Sequence, residues 1–139
     1  MAKAVRKKTK RFSNGRISFD YTEANRQGEC LFFKIVPGTL RNNYRGERVV
    51  SGVIRTGEKE GHEHKVKGKA VQLTMFPDTI TTLTGEPDNQ PSSGILEVKA
   101  DGAKVEHPEH KPLPLKKGTH VVMTQKEATG RNSTASVKD

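Results

Sequence analysis

In Lys69-Ala70-Val71-Gln72-Leu73-Thr74-Met75 the large apolar side chains fall on every second residue. A strand sends successive side chains to opposite faces, so Val71, Leu73 and Met75 share one face and Gln72 and Thr74 the other. The same period recurs in Ile95-Leu96-Glu97-Val98-Lys99, where Leu96 and Val98 face one way. Both stretches therefore read as half-buried strands. Working outward, Ile17 to Tyr21, Cys30 to Val36, Arg48 to Ile54, Lys69 to Phe76, Ile95 to Ala100 and Thr119 to Gln125 are short runs rich in Val, Ile, Phe and Thr. Gly, Pro, Asn or Asp bound each of them, as strand ends require. Asp101-Gly102, between Ile95–Ala100 and Ala103–Glu106, has the chemistry of a two-residue hairpin turn of type I′, in which both φ angles are positive. The best helix candidate, Tyr21 to Gln27, offers only about two turns. Thr84 to Gly94 (TGEPDNQPSSG) is a run of turn formers and reads as a loop. The fold class expected is all-β, a small single-domain barrel or sandwich over residues 12–125, with a basic arm at 1–11 and a polar tail at 126–139.

The 139 residues carry 25 Lys and Arg against 16 Asp and Glu, and only 31% are hydrophobic. That is enough for one domain and leaves part of the chain outside any core. No apolar run approaches the roughly 18 residues of a membrane span, and no basic n-region leads into an apolar stretch. The expectation is thus an intracellular, cytoplasmic protein without a membrane partner, or one incorporated in a virion. Cys30, in Cys30-Leu31-Phe32-Phe33, is the single cysteine; it excludes an internal disulfide and reads as a small buried hydrophobe. Phe32, Phe33 and Phe76 have the chemistry to stack on bases, but a chain with seven aromatics is expected to spend them on its core.

Charge is concentrated at the start. Lys3, Arg6, Lys7, Lys8, Lys10 and Arg11 supply six of the nine net positive charges, and no acid accompanies them. Such a segment cannot offset its own ordering entropy and is expected to extend as an arm until an anion holds it. Phosphate contacts by Lys and Arg release counterions and read no sequence, so nucleic acid is the leading partner expected.

The histidines are the sharpest chemical feature. His62 and His64 lie in Gly61-His62-Glu63-His64, and His107 and His110 in His107-Pro108-Glu109-His110; His120 is the fifth. Residues two apart on a strand project to one face, and a His-x-x-His turn brings two rings together, so these four imidazoles are expected to converge in one patch. Three or four nitrogens in that patch would suit a divalent metal such as zinc, with Glu63 or Glu109 supporting the ligands, and acid would release the metal by protonating them. The alternative is that the rings cap strand ends and hydrogen-bond loop carbonyls. No Gly-x-Ser-x-Gly elbow, Walker loop or Gly-x-Gly-x-x-Gly turn occurs, and no catalytic residue is assigned.

Gln27-Gly28-Glu29-Cys30-Leu31, Arg55-Thr-Gly-Glu58-Lys-Glu-Gly-His62-Glu-His64, His107-Pro-Glu-His110, Leu115-Lys-Lys-Gly118-Thr-His-Val121 and Gln125-Lys-Glu127 follow one another in order. Taken together, this order and spacing resembles a family of small uncharacterised proteins of bacterial and phage genomes, whose pattern runs QGDVL, GExTGHxH, HxEH, LPxGxYxV and QREY. The match covers Gln27 to Glu127, with His120 where the pattern has an aromatic and Ala128 where it has Tyr. The resemblance implies that the two histidine motifs belong to one site, and it implies no activity.

The function expected is therefore a non-enzymatic structural or accessory module docked in a larger protein assembly of phage or mobile-element type, its arm on nucleic acid or an acidic partner. The alternatives are a metal-dependent hydrolase or oxygenase using the histidines, a non-specific nucleic-acid-binding protein, and, as to partners, a homo-oligomer.

Overall fold

The computed structural model describes residues 8–14, 17–42, 46–56, 63–76 and 93–124. Twelve strands follow in order: β1 (Lys10–Ser13), β2 (Ile17–Gln27), β3 (Cys30–Ile35), β4 (Arg41–Asn42), β5 (Glu47–Arg48), β6 (Val53–Thr56), β7 (Glu63–Lys67), β8 (Val71–Phe76), β9 (Ser93–Val98), β10 (Ala103–His107), β11 (His110–Leu115) and β12 (Gly118–Thr124). They form an eight-stranded sheet, β1-β2-β3-β12-β9-β8-β5 with β4 beside β2, and a four-stranded sheet, β11-β10-β7-β6. Every pairing is antiparallel. The all-β expectation is met as two packed, open sheets rather than a closed barrel.

The period of two explains the packing. On the face of the large sheet toward the small one lie Cys30, Phe32, Leu73, Met75, Leu96, Val98 and Val122; from the small sheet Ile54, Val66, Ala103, Val105 and Leu115 meet them. Each fully buried side chain of this size contributes about 1.5–3 kcal/mol by leaving water. The alternate residues of the same strands, Phe33, Ile35, Val121 and Met123, build a second apolar cluster on the opposite face with Ile17, Phe19 and Phe76. Here β2 has a bulge between Tyr21 and Glu23, which bends a strand. Rings of Phe12, Phe19 and Tyr21 gather round Phe33 at centroid distances of 5.7, 5.3 and 4.9 Å. Phe32, Phe33 and Phe76 are all buried, so none is presented to a base.

Several local expectations need correction. Tyr21 to Gln27 is the second half of β2 and not a helix, because its partner β3 is pinned across it from Ile35 to Cys30. Arg48 to Ile54 is not one strand: β5 and β6 belong to different sheets, and the chain crosses between them at Gly52, whose φ is +78°. A Cβ at Gly52 would stand 2.7 Å from the Val66 carbonyl oxygen, so the crossing requires glycine. Asp101-Gly102 likewise joins β9 of the large sheet to β10 of the small one and makes no hairpin. Gly102 alone has positive φ, at 96°, which rules out the type I′ turn. The turn chemistry reverses the chain, but burial of Val98 and Val105 on facing sheets decides where it goes.

Strands β1, β4, β7 and β11 fall outside the expected runs. β7 is short and follows a run of charged residues. β11 (HKPLPL) contains two prolines, which remove ladder donors and argue against a central strand. It is an edge strand, paired among the described residues with β10 alone. Lys10 and Arg11, expected in the arm, open β1 at the edge of the large sheet. The tail at 126–139 and most of the 84–94 loop lie outside the described residues, while Ser93 and Gly94 begin β9.

Candidate functional site: a histidine cluster at the sheet junction

The β2–β3 turn of the large sheet meets the β10–β11 turn of the small sheet, and three histidines occupy the meeting point. Gly28 and Glu29 form a two-residue hairpin loop between the paired Gln27 and Cys30. Gly28 has φ +57° and Glu29 does not share the positive sign, the pattern of a type II′ turn. Arg26 Nε donates to the Gly28 carbonyl at 2.8 Å and braces the turn.

Gln27 is the pivot. It is 97% removed from solvent, and its Nε2 donates to the carbonyls of Val105 at 2.8 Å and Lys111 at 2.9 Å. The β10–β11 ladder shifts register between Val105 and His107, so the Gln27 amide supplies donors where the ladder is interrupted. Both partners are pure acceptors, which fixes the amide orientation and aims Oε1 at His64 Nδ1, 2.9 Å away. His64 Nδ1 therefore carries a proton, and the neutral ring has its lone pair on Nε2.

Around His64, itself buried on β7, the rings of His107 and His110 lie at centroid distances of 4.3 and 6.0 Å, with 4.6 Å between the latter two. His107 Nδ1 accepts from the Glu109 backbone N–H at 3.0 Å, so neutral His107 has its proton on Nε2. A Cβ on Gly28 would stand 2.8 Å from His110 Nε2 and 3.1 Å from His64 Cε1. Glycine is thus required there twice, by backbone angle and by the imidazoles. His62 lies outside the described residues. Among the described residues, no group of three or more His, Cys, Asp or Glu side chains is arranged to hold a metal ion as it stands.

Beside His107 and His110 opens a groove of about 320 Å³ whose rim includes Glu63, Lys65, Lys67 and Glu106. Glu106 is bonded to Lys67 Nζ at 2.9 Å and has Lys104 at 3.8 Å. The Lys67 hydrogen bond holds its carboxyl below the usual carboxylate range. It is an ordinary surface acid rather than one poised to donate a proton.

His120 is placed elsewhere, on β12. Its Nε2 donates to the Lys116 carbonyl at 2.7 Å, and burial pushes its pKa down, so it is neutral at pH 7. Of the basic residues, Lys3, Arg6 and Lys7 lie outside the described residues, while Lys8, Lys10 and Arg11 are exposed at the β1 edge. Arg11 Nη1 reaches Asp20 Oδ1 at 3.1 Å on the neighbouring strand.

Sequence reasoning named the histidines and missed Gln27. A polar residue directly before a Gly-Glu hairpin turn, at an inward-facing position of β2, was the available signal. Neither a curated protein nor a solved structure matches the chain. Residues 26–125, which include Gln27 and all three clustered histidines, match the family model described as Domain of unknown function (DUF8820), and the chain belongs to that family.

Proposed function

We propose that the protein is a non-enzymatic binding module that docks in a larger assembly, of phage or mobile-element type, through its β1 edge and N-terminal cations, with nucleic acid as the partner. It works in the cytoplasm or within a virion. The observation that supports this reading is the contrast between two sheet edges. β1 pairs only with β2 among the described residues, and Lys8, Lys10 and Arg11 are exposed along it, directly after Lys3, Arg6 and Lys7. A strand edge beside a row of cations attracts an anionic polymer and positions it without reading sequence. The imidazoles, by contrast, are engaged in structural bonds at His64 and His107, which favours a stapling role over hydrolysis.

The test is competition. Full-length protein is bound to labelled mixed-sequence DNA and then challenged with unlabelled DNA, RNA or polyglutamate. Displacement by nucleic acid at concentrations where polyglutamate has little effect supports the proposal. Equal or better displacement by polyglutamate would assign the cations to an acidic protein instead.

A further inference from the structure

We propose that His64, His107 and His110 form a binding site for one transition-metal ion of the zinc class, which ties β7 to the β10–β11 turn within the small sheet, beneath the Gln27–Gly28 turn of the large one. This goes beyond the docking reading and does not depend on it. The ring spacing is the first support. With metal–nitrogen bonds of about 2.0–2.1 Å, and a ring centre roughly 1.1 Å behind each nitrogen, imidazoles in a tetrahedral shell have centres about 5 Å apart. The observed 4.3, 4.6 and 6.0 Å bracket that value.

Gln27 is the second support. By accepting from His64 Nδ1 it leaves the lone pair of the neutral ring on Nε2, the arrangement in which metal-ligating histidines are held by an outer partner. Gly28 is the third: the turn crosses the cluster without a side chain, where a Cβ would press on His110 Nε2 at 2.8 Å. Three imidazoles with carboxylates only at the rim select zinc, cobalt, nickel or copper over magnesium or calcium, which take oxygen shells.

The rings as they stand are not a finished shell. His64 and His110 are stacked, with planes 15° apart, and His107 Nδ1 holds the Glu109 N–H. Coordination through either nitrogen of His107 ends that hydrogen bond. Through Nδ1 the metal takes the accepting lone pair; through Nε2 it leaves the proton on Nδ1. Metal uptake is therefore coupled to release of the Glu109 amide in the β10–β11 turn.

The experiment titrates full-length, chelator-stripped protein with Co²⁺ and follows the visible absorption of four-coordinate cobalt, with Zn²⁺ as competitor. The expected result is one ion per chain, displaced by Zn²⁺, a higher melting temperature on loading, and a changed Glu109 amide resonance. His64→Asn, His107→Asn and His110→Asn should each weaken binding about 10–100-fold, while His120→Gln leaves it unchanged. Should an Asn variant lose its β circular dichroism, ring-nitrogen resonances of the unsubstituted protein on Zn²⁺ addition decide the same point. Absence of stoichiometric uptake at micromolar metal would overturn the proposal. So would uptake that survives replacement of both His107 and His110, or uptake lost only in His62→Asn. Nucleic-acid binding plays no part in these readouts, so its failure and the failure of this site are separable.

Discussion

The two flanks of this molecule are built on opposite principles. At the β10–β11 flank the hydrogen-bonding groups turn inward: Gln27 spans both sheets, and the edge strand itself is protected. Leu113 and Leu115 face the core, and Pro112 and Pro114 alternate with them. Pro114 lies opposite Lys104 in the ladder, and a proline can occupy only a position whose N–H would point away from the neighbour. The missing donor of Pro114 is thus on the outer side, while Pro112 lies in the register shift, and a further strand would meet fewer N–H donors there. At the β1 flank, among the described residues, no proline or spanning amide closes the edge, and Lys8, Thr9, Lys10, Arg11 and Ser13 are exposed. The difference is one of chemistry: one flank presents prolines and an inward-turned amide, the other a row of exposed cations.

The largest expected effect breaks the closed flank from within. Gln27→Leu preserves bulk but strands two buried carbonyls and the His64 Nδ1–H, and should destabilise the fold by on the order of 3–4 kcal/mol in urea denaturation. A loss below about 1 kcal/mol would mean that water replaces the amide readily and that the junction is no staple. Next, Pro112→Thr with Pro114→Thr restores N–H donors to β11, the one at 114 on the outer side. Sedimentation should then show concentration-dependent association that the parent lacks; a strictly monomeric variant would remove the prolines' protective role.

His120 sharpens the contrast among histidines. Its folded pKa is lowered by burial, so the unfolded chain binds the proton more tightly. Its contribution is complete above the unfolded value of about 6.5 and is lost as pH falls through 6.5 toward the lowered folded value. Denaturation midpoints measured from pH 7.5 to 5 should fall with acid more steeply for the parent than for His120→Gln. Parallel curves would assign the acid sensitivity to other groups. The smallest effect belongs to the open flank. Arg11→Gln removes an exposed pair with Asp20 and should change stability by less than about 0.5 kcal/mol in the same urea denaturation.

The legibility of the sequence follows the same division. Strands whose faces alternate between core and solvent, such as β8 and β9, announced themselves, because burial on one side imposes the period. β11 did not, since its prolines serve to block an edge and therefore violate strand composition. β1 was hidden by its cations for a similar reason. The Asp101-Gly102 turn was visible as a turn, yet its destination was not, because the choice between pairing with β9 and crossing to the other sheet is made by packing far away in sequence. At the site, the histidines stood out by residue type and spacing. Gln27 has neither; its role exists only through partners far along the chain, the Val105 and Lys111 carbonyls, 78 and 84 residues distant, and His64, 37 residues distant.

The contrast of flanks rests on the open edge being a surface for nucleic acid, and the salt dependence of binding tests that most directly. Fluorescence anisotropy with mixed-sequence duplex DNA is measured from low to physiological salt for the parent and for a variant with Lys3, Arg6, Lys7, Lys8, Lys10 and Arg11 replaced by Gln. With partial engagement of the six cations, log K should fall against log salt with a slope of about −3 to −5. The variant should keep the β circular dichroism spectrum and lose both the binding and the slope. Binding that persists unchanged in the variant, or no binding by the parent even at low salt, would contradict the account.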